Sequence, residues 1–293
     1  MITQAATSNL KLSKHYKAKR VASRTTLWIF LLVIAFIILF PVIITLLGSL
    51  KTNAELTTGA TIFPSTWEFS NYAEAWNGAN FARYTWNSLF VGVVTTVGTL
   101  IIASMAAVAV DRLEFVGKRF FVVIQASTMF ISIGAVVLRP QFELMIKLNL
   151  YSSLWGVILI LISSHASVFF ILLSFMKAIP RELDEAAKID GASFFKTYYR
   201  ILLPLLTPGL GVVALFTFRG AWNEYILPQV FTMNQPDLQT LTVGLASLRH
   251  GVSAATQTHL MMAGACLSIL PLLVVYIFTN KSFMQVTAGS VKG

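Results

Sequence analysis

The chain has 293 residues, 56% of them hydrophobic and only 12% charged, with a formal net charge of +10. Soluble domains carry about 25% charged residues, so an ordinary soluble enzyme is excluded and a membrane protein is expected. The positive balance would suit nucleic acid, but the cations are sorted by side of the membrane, and no nucleic-acid partner is expected.

Apolar runs of about 18 or more residues read as membrane helices. Six fit: residues 27–47, 88–110, 120–138, 154–176, 205–231 and 260–279. Gln125 interrupts the third, and Arg219, Asn223 and Glu224 interrupt the fifth. Six spans use up the length, so the expected fold is an all-α polytopic membrane protein, one transmembrane domain over residues 1–293. The leading segment, residues 1–26, holds the basic stretch "LKLSKHYKAKR". With this end placed in the cytoplasm, 16 Lys and Arg lie on its side and 5 on the other. That is the positive-inside pattern, and it predicts cytoplasmic termini, the tail 281–293 included. The basic stretch reads as a topology signal beside anionic membrane lipid. A cleavable signal peptide is not expected, because the first apolar run exceeds an h-region.

The outer connection after the first span, residues 51–87, is long and aromatic. Trp67, Tyr72, Trp76, Tyr84 and Trp86 suit either an interfacial belt or a docking surface for an extracytoplasmic partner, and the sequence leaves both open. The short inner turn "DRLEFVGKR" follows the second span. The outer loop at 139–151 is short, and the one at 234–259 carries Asp237, Arg249 and His250. Cys266 stands alone, which leaves no disulfide framework or metal cluster. His15, His165, His250 and His259 are scattered without a nucleophile or metal-ligand spacing, so no catalytic or metal site is expected. His165 reads as a hydrogen-bonded helix–helix contact.

The inner loop 181–204, "RELDEAAKIDGASFFKTYYRILLP", departs most from the apolar background. Pro180 suits a helix start, and Glu182, Asp184 and Glu185 complement the dipole of the opening turns. Asp184 and Lys188 are spaced for an i, i+4 pair. Gly191 suits the left-handed cap that ends this helix. A second helix puts Phe194, Phe195, Tyr198, Tyr199 and Leu202 on an apolar side, where it can lie in the membrane interface. The first helix then projects as a peg, with Leu183, Ala186 and Ala187 as a low-relief face. On physics alone, the same features also describe a plain interfacial hairpin.

In the fifth span, "ALFTFRGAWNEYILPQVF", Arg219 and Asn223 share a face with Trp222 beside it. A guanidinium within the membrane is costly, so Arg219 should face a wet passage or a partner carboxylate. In the passage it would bind a substrate carboxylate through its planar fork, with Trp222 under a sugar ring and Asn223 on hydroxyls. That fits an acidic substrate better than a neutral one. Arg219 and Glu224 also admit an ion pathway, the mark of an ion-coupled secondary transporter or channel.

The loop carries a resemblance. Glu185-Ala186-Ala187, then Gly191, then Ile201 and Leu203-Pro204 match the EAA loop of ABC-importer permeases. "AWNEY", "TLTVGL", "FP" at Phe40-Pro41, "SLKTNAEL", "FSNYAEAW" and the terminal "VTAGSVKG" are similar to the carbohydrate-uptake, maltose-permease type. Within that branch the chain looks like a permease subunit of an alginate importer. The resemblance implies that 181–204 is a coupling loop seated in a cleft of a cytoplasmic ATPase. Glu185 would contact that ATPase, Ala186 and Ala187 would allow close seating, Gly191 would allow the turn, and the Val291-Lys292-Gly293 tail would reach it too. It further implies a second, homologous permease subunit, a dimer of ATPase subunits and an extracytoplasmic substrate-binding protein, at the bacterial inner membrane. The chain has no G-x-x-x-x-G-K-[ST] phosphate loop, so no cofactor is expected in it. ATP and Mg would be bound by the partner ATPase, and this chain would not itself be an enzyme.

Overall fold

The computed structural model describes residues 2–59, 61–78, 80–130, 134–163, 165–248 and 257–290, with side chains from 24 to 279 except at 78, 134 and 135 within those ranges. Every regular element is helical: α1 (Ile2–Gly48), α2 (Asn53–Thr58), α3 (Ser70–Gly78), α4 (Phe81–Arg112), α5 (Lys118–Phe130), α6 (Leu138–Lys147), α7 (Leu154–Ser163), α8 (Ala166–Lys177), α9 (Glu182–Ile189), α10 (Phe194–Thr197), α11 (Leu203–Leu205), α12 (Thr207–Asn223), α13 (Ile226–Thr232), α14 (Leu241–Ser247) and α15 (Thr258–Ser290). A π-helical turn, Tyr198–Leu202, joins α10 to α11.

Among the described residues three helices are long and apolar enough to cross a membrane unbroken: Arg24–Gly48, Phe81–Arg112 and Thr258–Thr279. Two helix pairs are bent at short breaks, α7 with α8 at 49° and Phe194–Leu205 with α12 at 76°, each a broken span or a re-entrant loop. The expected third span stops as a helix at Phe130, and its continuation through 131–133 lies outside the described residues. The expected fifth span does not run to Phe231. It ends at Asn223, because Glu224 is extended and its Oε1 accepts from the backbone N–H of Ile226 and Leu227, at 3.0 and 3.2 Å, starting α13 afresh.

The core gathers around α4, which packs against α7, α8 and α12, while α15 closes on α12, α3 and α1. Along α4 the buried residues Val91, Thr95, Thr99, Ala103, Ala107 and Asp111 repeat every four positions, an inclined ridge of mostly small side chains. Small residues let membrane helices approach closely. A Cβ at Gly92 would lie 2.8 Å from Cε2 of Phe218, so the glycine sets how near α12 can lie to α4. In contrast, Leu27 to Leu39 of α1 is almost wholly exposed, a surface for lipid or a neighbouring subunit.

Candidate functional site

Two polar regions stand out in this apolar scaffold. The first is the loop around α9. Glu182, Asp184 and Glu185 occupy its opening turn. It ends in a Schellman cap: Ala192 N–H donates to Ala187 O at 2.9 Å and Gly191 adopts φ +73°. Ser193 starts α10, its Oγ accepting from Lys196 N–H. The π turn that follows has a local cause. Pro204 has no N–H and its ring crowds the carbonyl four residues back, so the helix widens before it.

Glu185, Ala186 and Gly191 are exposed, as is Pro204, while Leu203 is half-buried. Ala187 is buried at 4% exposure and faces the chain interior, so the low-relief face expected to include it is made without it. The expected apolar side of the second helix divides likewise. Leu202 is buried and Tyr198 bonds Ser104 Oγ at 2.8 Å, whereas Phe195 and Tyr199 point outward.

Asp184 does not pair with Lys188. Its Oδ2 lies 2.7 Å from Nε of Arg112, at the last turn of α4, with both side chains nearly enclosed at 13% and 7% exposure. The approach is that of an ion pair and not of a straight hydrogen bond. Arg112 Nη1 also contacts Asp111 Oδ2 at 2.6 Å, and Nη2 donates to Ile179 O at 2.8 Å. Arg181 Nη2 donates to Asp111 O at 2.9 Å. Residues distant in sequence thus bolt α9 to the end of α4.

The second region lies midway along α4, beside the α7–α8 break and the last turns of α12. A cavity of about 270 Å³ opens there between Thr95, Thr99, Ser167, Thr217, Gly220 and Glu224, with Leu161, Val168, Phe216 and Ala221 as its apolar wall. The hydroxyls of Thr95, Thr99 and Thr217 are buried and have no hydrogen-bond partner. No sequence motif marked them, although Thr95 and Thr99 stand i, i+4 inside an apolar run, which is the available signal.

The residues expected to line a passage are separated here. Arg219 and Asn223 are exposed on another face of α12, and Arg219 makes no ion pair among the described residues. The Asn223 amide donates back to Arg219 O at 2.8 Å. Trp222 corrects its expectation: it is 2% exposed and stacked on Phe218 at 5.7 Å, in a cluster with Phe81, Tyr84 and Leu241, so its face is closed to a sugar ring. Glu224 is half-buried and borders the cavity. His165 Nδ1 lies 3.0 Å from Ile162 O, a contact within its own chain break and not between distant helices.

On the opposite side of the fold from α9, Trp67, Trp76 and Trp86 are exposed, while Tyr84 is core and Tyr72 shares a 2.7 Å hydrogen bond with Ser49 Oγ. Beside them Glu55 accepts from Thr61 Oγ1, Ser65 Oγ and Ser65 N–H, at 2.8, 3.0 and 3.1 Å, and Lys51 Nζ lies 3.7 Å away. Burial pushes the Glu55 carboxyl up, but these hydrogen bonds and the lysine together outweigh it and hold its pKa below the ordinary carboxylate value. Among the described residues no three His, Cys, Asp or Glu converge as a metal site. Arg249, His250 and the Val291-Lys292-Gly293 tail lie outside the described residues.

The family described as "binding-protein-dependent transport system inner membrane component" matches residues 18–283. The chain is 31% identical to the arabinooligosaccharides transport system permease protein AraQ of Bacillus subtilis (strain 168), over 92% of this chain and 96% of that one. It is also 31% identical to the diacetylchitobiose uptake system permease protein NgcG of Streptomyces coelicolor, over 87% and 85%. Among solved structures it is similar to a chain in the crystal structure of a bacterial ABC transporter involved in the import of the acidic polysaccharide alginate. The TM-score is 0.73 at 24% identity, covering 86% of this chain and 93% of that one. At that identity the likeness is one of fold.

Proposed function

The chain belongs to the family of binding-protein-dependent transport system inner membrane components, and we propose that it is one permease subunit of an ATP-driven importer of oligosaccharides. It is a multi-pass membrane protein whose relatives are named for saccharide transport. The observation that carries the mechanism is the tether between α9 and α4. Glu185 and Ala186 point away from the chain, where a cytoplasmic ATPase can seat, while Asp184 on the same helix is locked to Arg112. A push on α9 is therefore delivered to α4, and α4 lines the mid-helix cavity about 20 Å away. Movement of α4 against its neighbours would open that cavity alternately to the two sides. ATP and Mg are bound by the ATPase dimer, a second permease completes the passage, and an extracytoplasmic binding protein delivers the sugar. Both termini and the 181–204 loop are cytoplasmic, in keeping with the 16-to-5 division of basic residues.

The names of AraQ and NgcG refer to uncharged saccharides, which supports an uncharged substrate. A second reading, an acidic oligosaccharide of the alginate type, is favoured by Arg219 alone. Its guanidinium is exposed on α12, and a cation there, at about 2.5–3.5 kcal/mol on insertion scales, requires water, a partner carboxylate or a substrate carboxylate. The test is reconstitution of the assembled complex in proteoliposomes. Oligosaccharide uptake that requires ATP is expected. Uptake driven by an ion gradient without ATP would replace this reading with an ion-coupled transporter. External labelling of a cysteine at Ser193 in intact cells would reverse the orientation.

A further inference from the structure

We propose that the cavity between α4, the α7–α8 break and α12 is a subsite for an uncharged, hydroxyl-bearing sugar ring. The inference deepens the importer reading and rests on it. A helical threonine inside a membrane ordinarily satisfies its hydroxyl on its own helix. Thr96 does so, donating to Gly92 O at 2.6 Å. Its neighbours Thr95 and Thr99 do not: each is 2% exposed, and neither hydroxyl has a partner. Thr217 faces the same cavity from α12 in the same unsatisfied state. Buried hydroxyls without partners are costly, so three around one cavity mark a place that something polar enters.

Size and chemistry narrow what that is. The cavity, about 270 Å³, is far too roomy for one coordinated cation and would hold about nine waters at about 30 Å³ each. Threonine hydroxyls donate and accept, as sugar hydroxyls do, and the threonine methyls with Leu161 and Val168 offer apolar surface to the C–H face of a ring. Gly220 leaves one wall open, because a Cβ there would meet nothing within 4 Å. Among the described lining residues the one ionisable group is Glu224, half-buried with Oε1 already taken by two N–H groups. A carboxylate accepts from sugar hydroxyls and repels a uronate. Arg219 cannot compensate, since it stands about 130° round the helix from the lining face at 100° per residue.

The full importer, assembled with its partners in proteoliposomes, tests this with a panel of uncharged arabino-, gluco-, galacto- and chito-saccharides and with trimannuronate. Thr95→Val, Thr99→Val and Thr217→Val keep the shape and remove the hydroxyl; the Ser counterparts keep the hydroxyl and remove the methyl. For the uncharged saccharide that wild type takes up fastest, each Val variant should lower the saturating uptake rate by about 3- to 10-fold. Each Ser variant should stay within about twofold. The melting temperature of each Val variant in the assembled complex should be no lower than wild type, because an unpartnered buried hydroxyl is being removed. Val variants at the wild-type rate would mean a cavity that holds water only, and would overturn the subsite while leaving the importer reading intact. Loss in Ser and not in Val would make the threonines packing residues and equally overturn it, as would trimannuronate being the only probe transported. Failure of wild type to take up any probe with ATP would remove both readings together.

Discussion

The α9 end of the molecule and its middle place polar groups in an apolar chain in opposite ways. At the α9 end the enclosed charges are paired: Asp184 and Asp111 meet Arg112, Arg112 also reaches Ile179 O, and Arg181 caps Asp111 O. In the middle, three buried hydroxyls have no partner and one guanidinium faces outward without an ion pair among the described residues. Contacts complete within the chain hold elements in fixed relation, which suits a lever. Groups left incomplete are available to something that comes and goes, which suits a passage. The α4 ridge joins the two, carrying Thr95 and Thr99 midway and Asp111 at its end.

The largest expected effect comes from breaking the paired end. Arg112→Met would strand Asp111 and Asp184 as enclosed carboxylates, at a cost of about 3–5 kcal/mol. Hydrogen exchange should show α9 detached from α4, and the purified complex should lose substrate-stimulated ATP hydrolysis and ATP-driven uptake. Full stimulation in an inserted, assembled Arg112→Met complex would show that force does not pass through this pair, and the contrast with the middle would lose its functional meaning.

In the middle, Arg219→Gln separates the two substrate classes. A bidentate, charge-assisted pair with a uronate contributes about 1.5–3 kcal/mol. On the acidic-substrate reading the variant should lower trimannuronate uptake by about tenfold or more; on the uncharged reading it should leave uptake of uncharged saccharides unchanged. Equal uptake of both by wild type and variant would make Arg219 a contact to a neighbouring subunit or to water.

Much of the paired end was legible in the sequence because its devices are local. The acidic first turn, the glycine stop at Gly191 and the second helix that follows it are set within a few residues, and the structure forms each. The Arg112–Asp184 tie was not legible, since an i, i+4 partner stood closer to Asp184 in sequence than a residue from another helix. Burial of Ala187 and Trp222 escaped for a related reason. Periodicity says that faces exist, but which neighbour covers a face is a tertiary fact. The threonines were quieter still, being uncharged and at home in an apolar run.

Gly191 gives a smaller and more local test. At φ +73°, with nothing within 4 Å of the point a Cβ would occupy, it is held by backbone conformation alone. Gly191→Val should cost about 1–2 kcal/mol and weaken stimulated ATP hydrolysis, while Gly191→Asn, which tolerates the left-handed region, should retain most of it. Gly117 is the control: it has φ +88° and equally open surroundings, but lies in the turn between α4 and α5. Gly117→Val should bring a similar conformational cost with less loss of coupling. If the two valine variants impair stimulated hydrolysis equally, α9 holds no special place at that end.

The smallest effect is expected on the far side, where Glu55 completes its contacts as the α9 end does. Its pKa is depressed: burial raises it, but hydrogen bonds from Thr61 and Ser65 and the charge of Lys51 lower it further. An acid whose folded pKa lies below its unfolded one contributes stability above the unfolded value and loses it as pH falls through the folded value. The loop around Glu55 should therefore keep its hydrogen-exchange protection at neutral pH and through the ordinary carboxylate range near about pH 4. It should loosen only in stronger acid. Glu55→Gln, which cannot gain that ionic contribution, should exchange somewhat faster at neutral pH and show little further change on acidification. Protection in wild type that fades well above the ordinary carboxylate range would mean that burial prevails over the hydrogen bonds. The loop would then belong with the incomplete polar groups of the middle instead of the completed ones at the ends.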